Sequence, residues 1–170
     1  IDRFNLLKKI FIISNKIESA TSKEVHITLI KHLLSLPKDN VNYVVECGCY
    51  HGASSASLSI ICKIIGRKLI IYDSFEGLPS EENMKERIYP HLLISGFYKK
   101  GMYKSNLDIV KNNIKLYGDL SVCEFRKGFF KNTLIDHKED IDFLFLDVDL
   151  TSSTSDSVKF LWPFIKDNSY

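Results

Sequence analysis

Apolar positions fall into two kinds of pattern along this chain. Between residues 4 and 13, Leu6, Leu7, Ile10 and Phe11 recur at helical spacing. A second helix is predicted from Lys23 to Leu36, with Ile27, Ile30 and Leu34 on one face and Pro37 just beyond its end. The runs Tyr43–Glu46, Lys68–Tyr72, Val122–Arg126 and Ile141–Leu146 are short, apolar and rich in β-branched or aromatic residues, as strands buried on both faces are. Between the first two lies Ala53–Ile65, a helix with Leu58, Ile61 and Ile65 on one face and Gly66 as its C-terminal cap. Strand, glycine loop, helix and strand within about thirty residues make a βαβ unit with a right-handed crossover.

Two more helices follow. One starts at Ser105, with Asp108 three residues on in a capping-box-like arrangement, carries Leu107, Val110 and Ile114, and stops at Gly118. The other runs from Ser153 to Trp162 and is closed by Pro163. Residues 81–101 are the least regular stretch, mixing charges, Pro90, His91 and aromatics, and are expected to form a lid over the sheet. The pattern as a whole predicts an α/β fold: a parallel sheet with helices on both faces. Residues 1–40 are expected to be a helical segment packed on a single domain, 41–170.

Composition narrows the functional classes. Hydrophobic residues make up 45% and charged residues 26% of the 170, so the chain has the makings of a globular core without staples. The net charge of +2 comes from 19 Lys and 4 Arg against 21 acids, scattered along the chain rather than gathered into an Arg-bearing stripe. That argues against a nucleic-acid partner. Cys47, Cys49, Cys62 and Cys123 lack zinc-site spacing and are expected as free thiols in a reducing compartment, which makes the cytoplasm the default location. No apolar run reaches the ~18 residues of a membrane span.

The unusual residues cluster after the strands, where ligands bind in open parallel sheets. After strand one comes Glu46-x-Gly48-x-x-x-Gly52. Tyr50 stands where a dinucleotide fingerprint has its middle glycine, and no Gly-Lys-Ser/Thr follows, so a pyrophosphate is disfavoured and a phosphate-free ligand such as an amino-acid-bearing nucleoside fits better. Asp73, 25 residues beyond Gly48, ends strand two, where an acid accepts hydrogen bonds from both ribose hydroxyls. A loop cap is its competing role. Strand four ends in Asp147-x-Asp149, two carboxylates on one side of an extended chain, suited to Mg²⁺ or proton transfer unless they cap the next helix. His51 sits in the glycine loop and His91 in the lid, where it is a candidate general base; His26, His32 and His137 are expected at the surface or on helices.

Four blocks in this order, Val45-Glu46-Cys47-Gly48-Cys49-Tyr50-His51-Gly52-Ala53-Ser54-Ser55, Asp73-Ser74-Phe75-Glu76-Gly77-Leu78-Pro79, Gly128-Phe129-Phe130-Lys131-Asn132-Thr133-Leu134 and Leu146-Asp147-Val148-Asp149-Leu150 with Ser153-Thr154, resemble the macrocin O-methyltransferase family. The likeness spans residues 44–165. It implies a three-layer Rossmann-like S-adenosylmethionine-dependent methyltransferase fold with sheet order 3-2-1-4. It also implies methyl transfer to a hydroxyl of a small molecule, on a sugar moiety of a glycoside. By position, Glu46, Gly48 and Gly52 would line the methionine end of the cofactor, Tyr50, Ser54 and Ser55 would also be cofactor-binding, and Asp73 would hold the ribose. Ser74 and Phe75 would lie beside the adenosine, with Gly128 and Phe129 closing on the adenine side. Asp147 would be both cofactor neighbour and first Mg²⁺ ligand, and Asp149 or His91 the catalytic base.

The chain departs from the family at His51, usually Arg, and at Thr151, usually aromatic, which puts the acceptor in doubt. It also stops at Tyr170, before the strand whose acidic pair completes the family's metal site. The Mg²⁺ site is therefore expected to be incomplete, the C-terminal strands missing and Ile141–Leu146 a bare edge, unless the protein is longer or something else covers it. The competing function is a non-catalytic module that keeps the fold and the nucleoside pocket. An enzyme like the cephalosporin-hydroxylase group is a third reading, and a nicotinamide oxidoreductase is less favoured because of Tyr50. The oligomeric state stays open, a homo-oligomer among the options.

Overall fold

The computed structural model describes residues 2–38, 42–79, 97–170 and, by their backbone, the strands at 85–89 and 92–95. In chain order it holds α1 (Arg3–Lys16), α2 (Lys23–Leu34), β1 (Tyr43–Cys47), α3 (Ala53–Ile65), β2 (Leu69–Asp73), β3 (Lys85–Tyr89) and β4 (Leu92–Ser95). Then come α4 (Leu107–Tyr117), β5 (Cys123–Lys127), α5 (Phe130–Thr133), β6 (Ile141–Leu146) and α6 (Thr151–Leu161). The main sheet runs β5-β2-β1-β6, all parallel, which is the expected order of third, second, first and fourth strand. The region expected to be irregular contains instead an antiparallel hairpin, β3 with β4. His91, the candidate base within it, lies outside the described residues.

Alternation along the central strands feeds two cores. Val44, Leu69, Ile71 and Phe143 face one way, into a cluster with residues of α1, α2, α3 and α4. Val45, Ile70 and Tyr72 face the other way, against Leu134 and Leu161. That gives the three layers.

Helices α1 and α2 contribute to the first core with faces that differ from the expected ones. In α1 the buried side is Leu6, Ile10 and Ile13, while Leu7 and Phe11 are exposed. In α2 the buried side is His26, Leu29, Ile30 and Leu33, while Ile27 and Leu34 are exposed. A fully buried His26 shifted the stripe. His137, also expected at the surface, is buried too, its Nδ1 at 2.9 Å from the Tyr72 hydroxyl and its Nε2 at 2.8 Å from the Glu139 carbonyl oxygen.

Helix α3 was expected to bury one stripe and buries every residue from Ala53 to Cys62. Its serines make this possible. Ser57 Oγ donates to the Ala53 carbonyl at 3.1 Å and Ser59 Oγ to that of Ala56 at 2.8 Å, so small hydroxyls satisfy themselves while neighbouring elements approach closely. Helix α4 is capped by Asn106, which accepts from the Asp108 N–H at 2.8 Å; Ser105 bonds with His51 Nδ1 instead.

The edge expected to be bare is occupied. Ile165 forms a parallel bridge with Ile141, the Tyr170 N–H donates to the Asp142 carbonyl at 3.1 Å, and the Leu144 N–H donates to that of Tyr170 at 2.8 Å. At the opposite end of the sheet from the loops of interest, Arg67 is 3% and Asp142 8% exposed. Arg67 donates through Nε and Nη2 to Asp142 Oδ2 at 2.9 and 2.7 Å, and Asn42 adds its backbone N–H and its side-chain amide. The pair ties the start of β1 to the start of β6 and to the turn before β2. Removing one partner strands a buried charge, so Arg67→Ala is expected to lower stability by about 3–5 kcal/mol in urea denaturation.

Candidate functional site

The loops after β1, β2, β5 and β6 meet because the parallel ladder continues one bond past each strand. The Gly48 N–H donates to the Tyr72 carbonyl, that of Gly128 to Asp73 and that of Asp147 to Cys47, each at 2.9 Å. Gly48 has φ +87°, and a Cβ there would sit 2.2 Å from the Asp147 carbonyl oxygen. Glycine is needed for that approach. Gly52, at φ +84°, instead makes room for Val110 of α4, whose Cγ1 a Cβ would meet at 2.9 Å.

A cleft of about 1040 Å³, its open mouth included, lies at this junction. Of the expected site residues, Gly48, Tyr50, Asp73, Ser74, Gly128, Phe129, Asp147 and Asp149 line it. Glu46, Ser54 and Ser55 are buried, and none of them, nor Gly52 or Phe75, is among its lining residues. Phe75 packs against Phe125, ring centroids 6.5 Å apart. Lining residues that the sequence did not single out include Ala20, Met102, Tyr103 and Asp156. Ala20 and Tyr103 arrive from loops remote in sequence, and nothing in a linear motif announces them. Tyr103 has φ +56° and Tyr50 φ +47°, and their rings meet edge to face at 5.7 Å. Two non-glycine residues in the left-handed region on one wall mark backbone held in place by its surroundings.

Asp73 does more than await a ligand. Its Oδ2 accepts the Cys49 N–H at 2.8 Å and its Oδ1 the Phe75 N–H at 2.7 Å, so the loop-cap role is real. A carboxylate has about four acceptor sites, which leaves capacity for hydroxyl donors from the cleft. At the other wall, Asp147 Oδ2 accepts from the Thr21 hydroxyl at 2.7 Å. The Asp149 carboxyl is held above its ordinary value by desolvation and by the charge of Asp147, with a hydrogen bond from Tyr98 opposing. Among the described residues, no group of three or more His, Cys, Asp or Glu is placed to hold a metal ion. The four cysteines are free thiols; burial pushes Cys47 up to about 12 and leaves it no nucleophile at neutral pH.

Behind the cleft sit two buried titratable groups. Glu46 receives the Ser55 hydroxyl, its Oε1 has no partner, and burial pushes its pKa up to about 8 against the pull of the Ser54 and Ser55 hydrogen bonds. Burial thus favours its neutral, protonated form. His26 Nδ1 lies 3.2 Å from Ser57 Oγ, which is also 3.1 Å from the Ala53 carbonyl oxygen, and the buried Nε2 has no partner among the described residues. Burial lowers the His26 pKa, with the charge of Asp147 opposing.

A model of the family described as Macrocin-O-methyltransferase (TylF) matches residues 28–170. The chain belongs to this family. A search of curated proteins returned no match. Among solved structures, the O-methyltransferase NovP superposes with a TM-score of 0.62 at 24% identity, over 84% of this chain and 59% of that one. CalS11, a calicheamicin methyltransferase, gives 0.60 at 14% identity, over 98% and 75%. The SAH-bound Podospora anserina methyltransferase PaMTH1 gives 0.61 at 15%, over 99% and 60%. At these identities the likeness is one of fold, and this chain spans about 60% of the length of NovP and PaMTH1. Among the described residues, no helix of this family member is long and apolar enough to cross a membrane.

Glu46 supplies a test of the buried acid. Its folded pKa lies above the unfolded one, so the folded state holds the extra proton, and stability falls as pH rises from about 4.5 to about 8. In the variant Glu46→Gln that slope should disappear. Melting temperatures at pH 6 and pH 8.5 are expected to differ less in the variant than in the parent.

Proposed function

We propose that this chain carries the cofactor-binding core of an S-adenosylmethionine-dependent O-methyltransferase whose acceptor is a hydroxyl of a small, sugar-bearing molecule. The observation that carries the reading is one cleft lined by Gly48, Tyr50, Asp73, Gly128, Phe129, Asp147 and Asp149, at the carboxyl ends of four parallel strands in a member of an O-methyltransferase family. Relatives of the same fold point the same way: CalS11 is a TDP-rhamnose 3′-O-methyltransferase, and PaMTH1 was solved with the demethylated cofactor.

In this reading Asp73 takes the ribose hydroxyls with the acceptor capacity its two backbone contacts leave free. Gly48 gives close backbone approach at the methionine end, with Tyr50 and Asp147 beside it. Ser74 lies on the nucleoside side, and Gly128 and Phe129 border the adenine. Glu46, Gly52, Ser54, Ser55 and Phe75 act from behind the wall, shaping the loops that touch the cofactor. The sulfonium is an activated methyl donor, so the protein's task is to bring the acceptor oxygen in line with the methyl carbon. When bound, S-adenosylmethionine would supply the methyl group from its sulfonium to the acceptor oxygen and leave as the thioether, and the acceptor's proton would pass to a base on this chain. Asp149, whose raised pKa brings it nearer to neutrality, takes that role at the cleft wall.

Magnesium assistance belongs to the same family expectation. The described residues do not by themselves make a metal site, so no step here depends on one. The competing reading is a module that binds the nucleoside without turning over.

Calorimetric titration with S-adenosylmethionine tests the main proposal. The protein is expected to bind it, and Asp73→Ala should weaken binding at least tenfold. A well-folded protein that shows no binding would sink the idea. Methyl transfer to a hydroxylated glycoside, scored by release of S-adenosylhomocysteine, separates enzyme from binding module. Repeating that assay after EDTA treatment, with and without added Mg²⁺, decides the metal: activity unchanged by chelation would exclude Mg²⁺ from the reaction.

A further inference from the structure

The connector between α1 and α2, residues 17–22, reaches the cleft although the family match begins only at residue 28. Ala20 lines the cleft. On either side of it the connector contacts both walls, and Glu18 also lies 4.0 Å from His51 Nε2. The Thr21 hydroxyl donates to Asp147 Oδ2 at 2.7 Å, and Glu18 Oε1 accepts from the Tyr50 hydroxyl at 2.8 Å. The connector is itself held. Ile17 is buried at its start, the Thr21 N–H donates to Ser19 Oγ at 3.0 Å, and Ser22 caps α2 through the Val25 N–H. So Thr21 is presented to Asp147 by a turn that packing and local bonds have already ordered.

We infer that Thr21 is a positioning residue that acts through Asp147. A carboxylate at the end of a strand can rotate, and its charge is useful only when it faces the ligand. The Thr21 hydroxyl, donating to Oδ2, fixes the rotation of a carboxylate that lines the cleft, where it would face the positively charged end of S-adenosylmethionine, which carries a sulfonium and an ammonium group. The bond spans 126 residues of sequence and closes the site with a segment that the family pattern does not cover. Charge-assisted bonds of this kind are the strong ones, and such an orienting bond sets geometry as well as energy.

This inference rests on the proposed cofactor, so the test separates the two. S-adenosylmethionine is titrated calorimetrically into the parent, Thr21→Val, Thr21→Ser, Asp147→Asn and the double variant Thr21→Val/Asp147→Asn. Asp147→Asn is expected to weaken binding about tenfold and Thr21→Val about fivefold, while Thr21→Ser, which keeps the hydroxyl, stays within about twofold of the parent. The double variant is expected to bind no more weakly than Asp147→Asn alone, because neighbours that act through one contact are not additive. Thermal melting of each protein checks that the fold is intact. If Thr21→Val simply destabilises, Thr21→Ser and the double variant still decide the matter. Parent-like affinity in Thr21→Val, failure of Thr21→Ser to recover it, or full additivity with Asp147→Asn would each overturn the positioning role while leaving the cofactor assignment standing. A parent that binds no S-adenosylmethionine would overturn both.

Discussion

The register of β1 between β2 and β6 is the constraint on which the rest of this molecule depends. Cys47 pairs with Tyr72 on one side and Leu146 on the other. The ladder then carries one bond further into each loop, from Gly48 to Tyr72 and from Asp147 to Cys47. Parallel strands end together, so their loops emerge on one side of the sheet, and here the extra bonds press the loops against each other. Gly48 sits so near the Asp147 carbonyl that a methyl group would not fit. A slip of one residue would exchange the faces of β1, bury Glu46 against the wrong helices and carry Gly48 away from Asp147. The cleft is a consequence of strand pairing before it is a matter of ligand chemistry.

Within that frame one carboxylate has two duties. Asp73 fastens the loops after β1 and β2 by accepting Cys49 and Phe75 N–H groups, and in the proposed function it also receives a ribose. A loop-cap role and a ligand role were competing readings of the same residue, and geometry makes them compatible. The residue that shapes the pocket wall is fixed in place by that work, so it meets a ligand without having to be ordered first.

How much of this was legible in the linear sequence varies with how local the cause is. The four sheet strands were legible as short apolar runs, most clearly β1 and β2, whose residues are almost all buried, while their order came from the family resemblance. Gly48, Asp73 and Asp147 were visible because loop chemistry sits at fixed distance from a strand end. The face of α2 was not, because the deciding contact is His26 against Ser57, a buried polar pair that a hydropathy pattern counts as surface. The total burial of α3 was hidden for the same reason: its serines are polar in composition and apolar in packing. The hairpin β3–β4 has mixed polarity and no strong period. Occupation of the β6 edge by residues 165–170 depends on backbone bonds, which leave no side-chain signature. Ala20, Thr21 and Tyr103 were missed because their role comes from where the fold carries them.

The electrostatics behind the cleft follow from the same packing. Asp73, Asp147 and Asp149 all face the cavity, while Lys131 is the one basic residue among those lining it on the described part of the chain. Glu46, immediately behind, is pushed toward its neutral form first by burial and, less, by the charges of Asp147 and Asp73, against the hydrogen bonds of Ser54 and Ser55. His26 is likewise neutral, since burial outweighs the opposing field of Asp147. The fold thus keeps its fixed negative charge at the surface of the cleft and silences the titratable groups underneath. In the proposed function, a cationic ligand entering such a cleft meets carboxylates that accept neutral hydrogen-bond donors, Cys49 and Phe75 N–H at Asp73 and the Thr21 hydroxyl at Asp147, and so keep their charge.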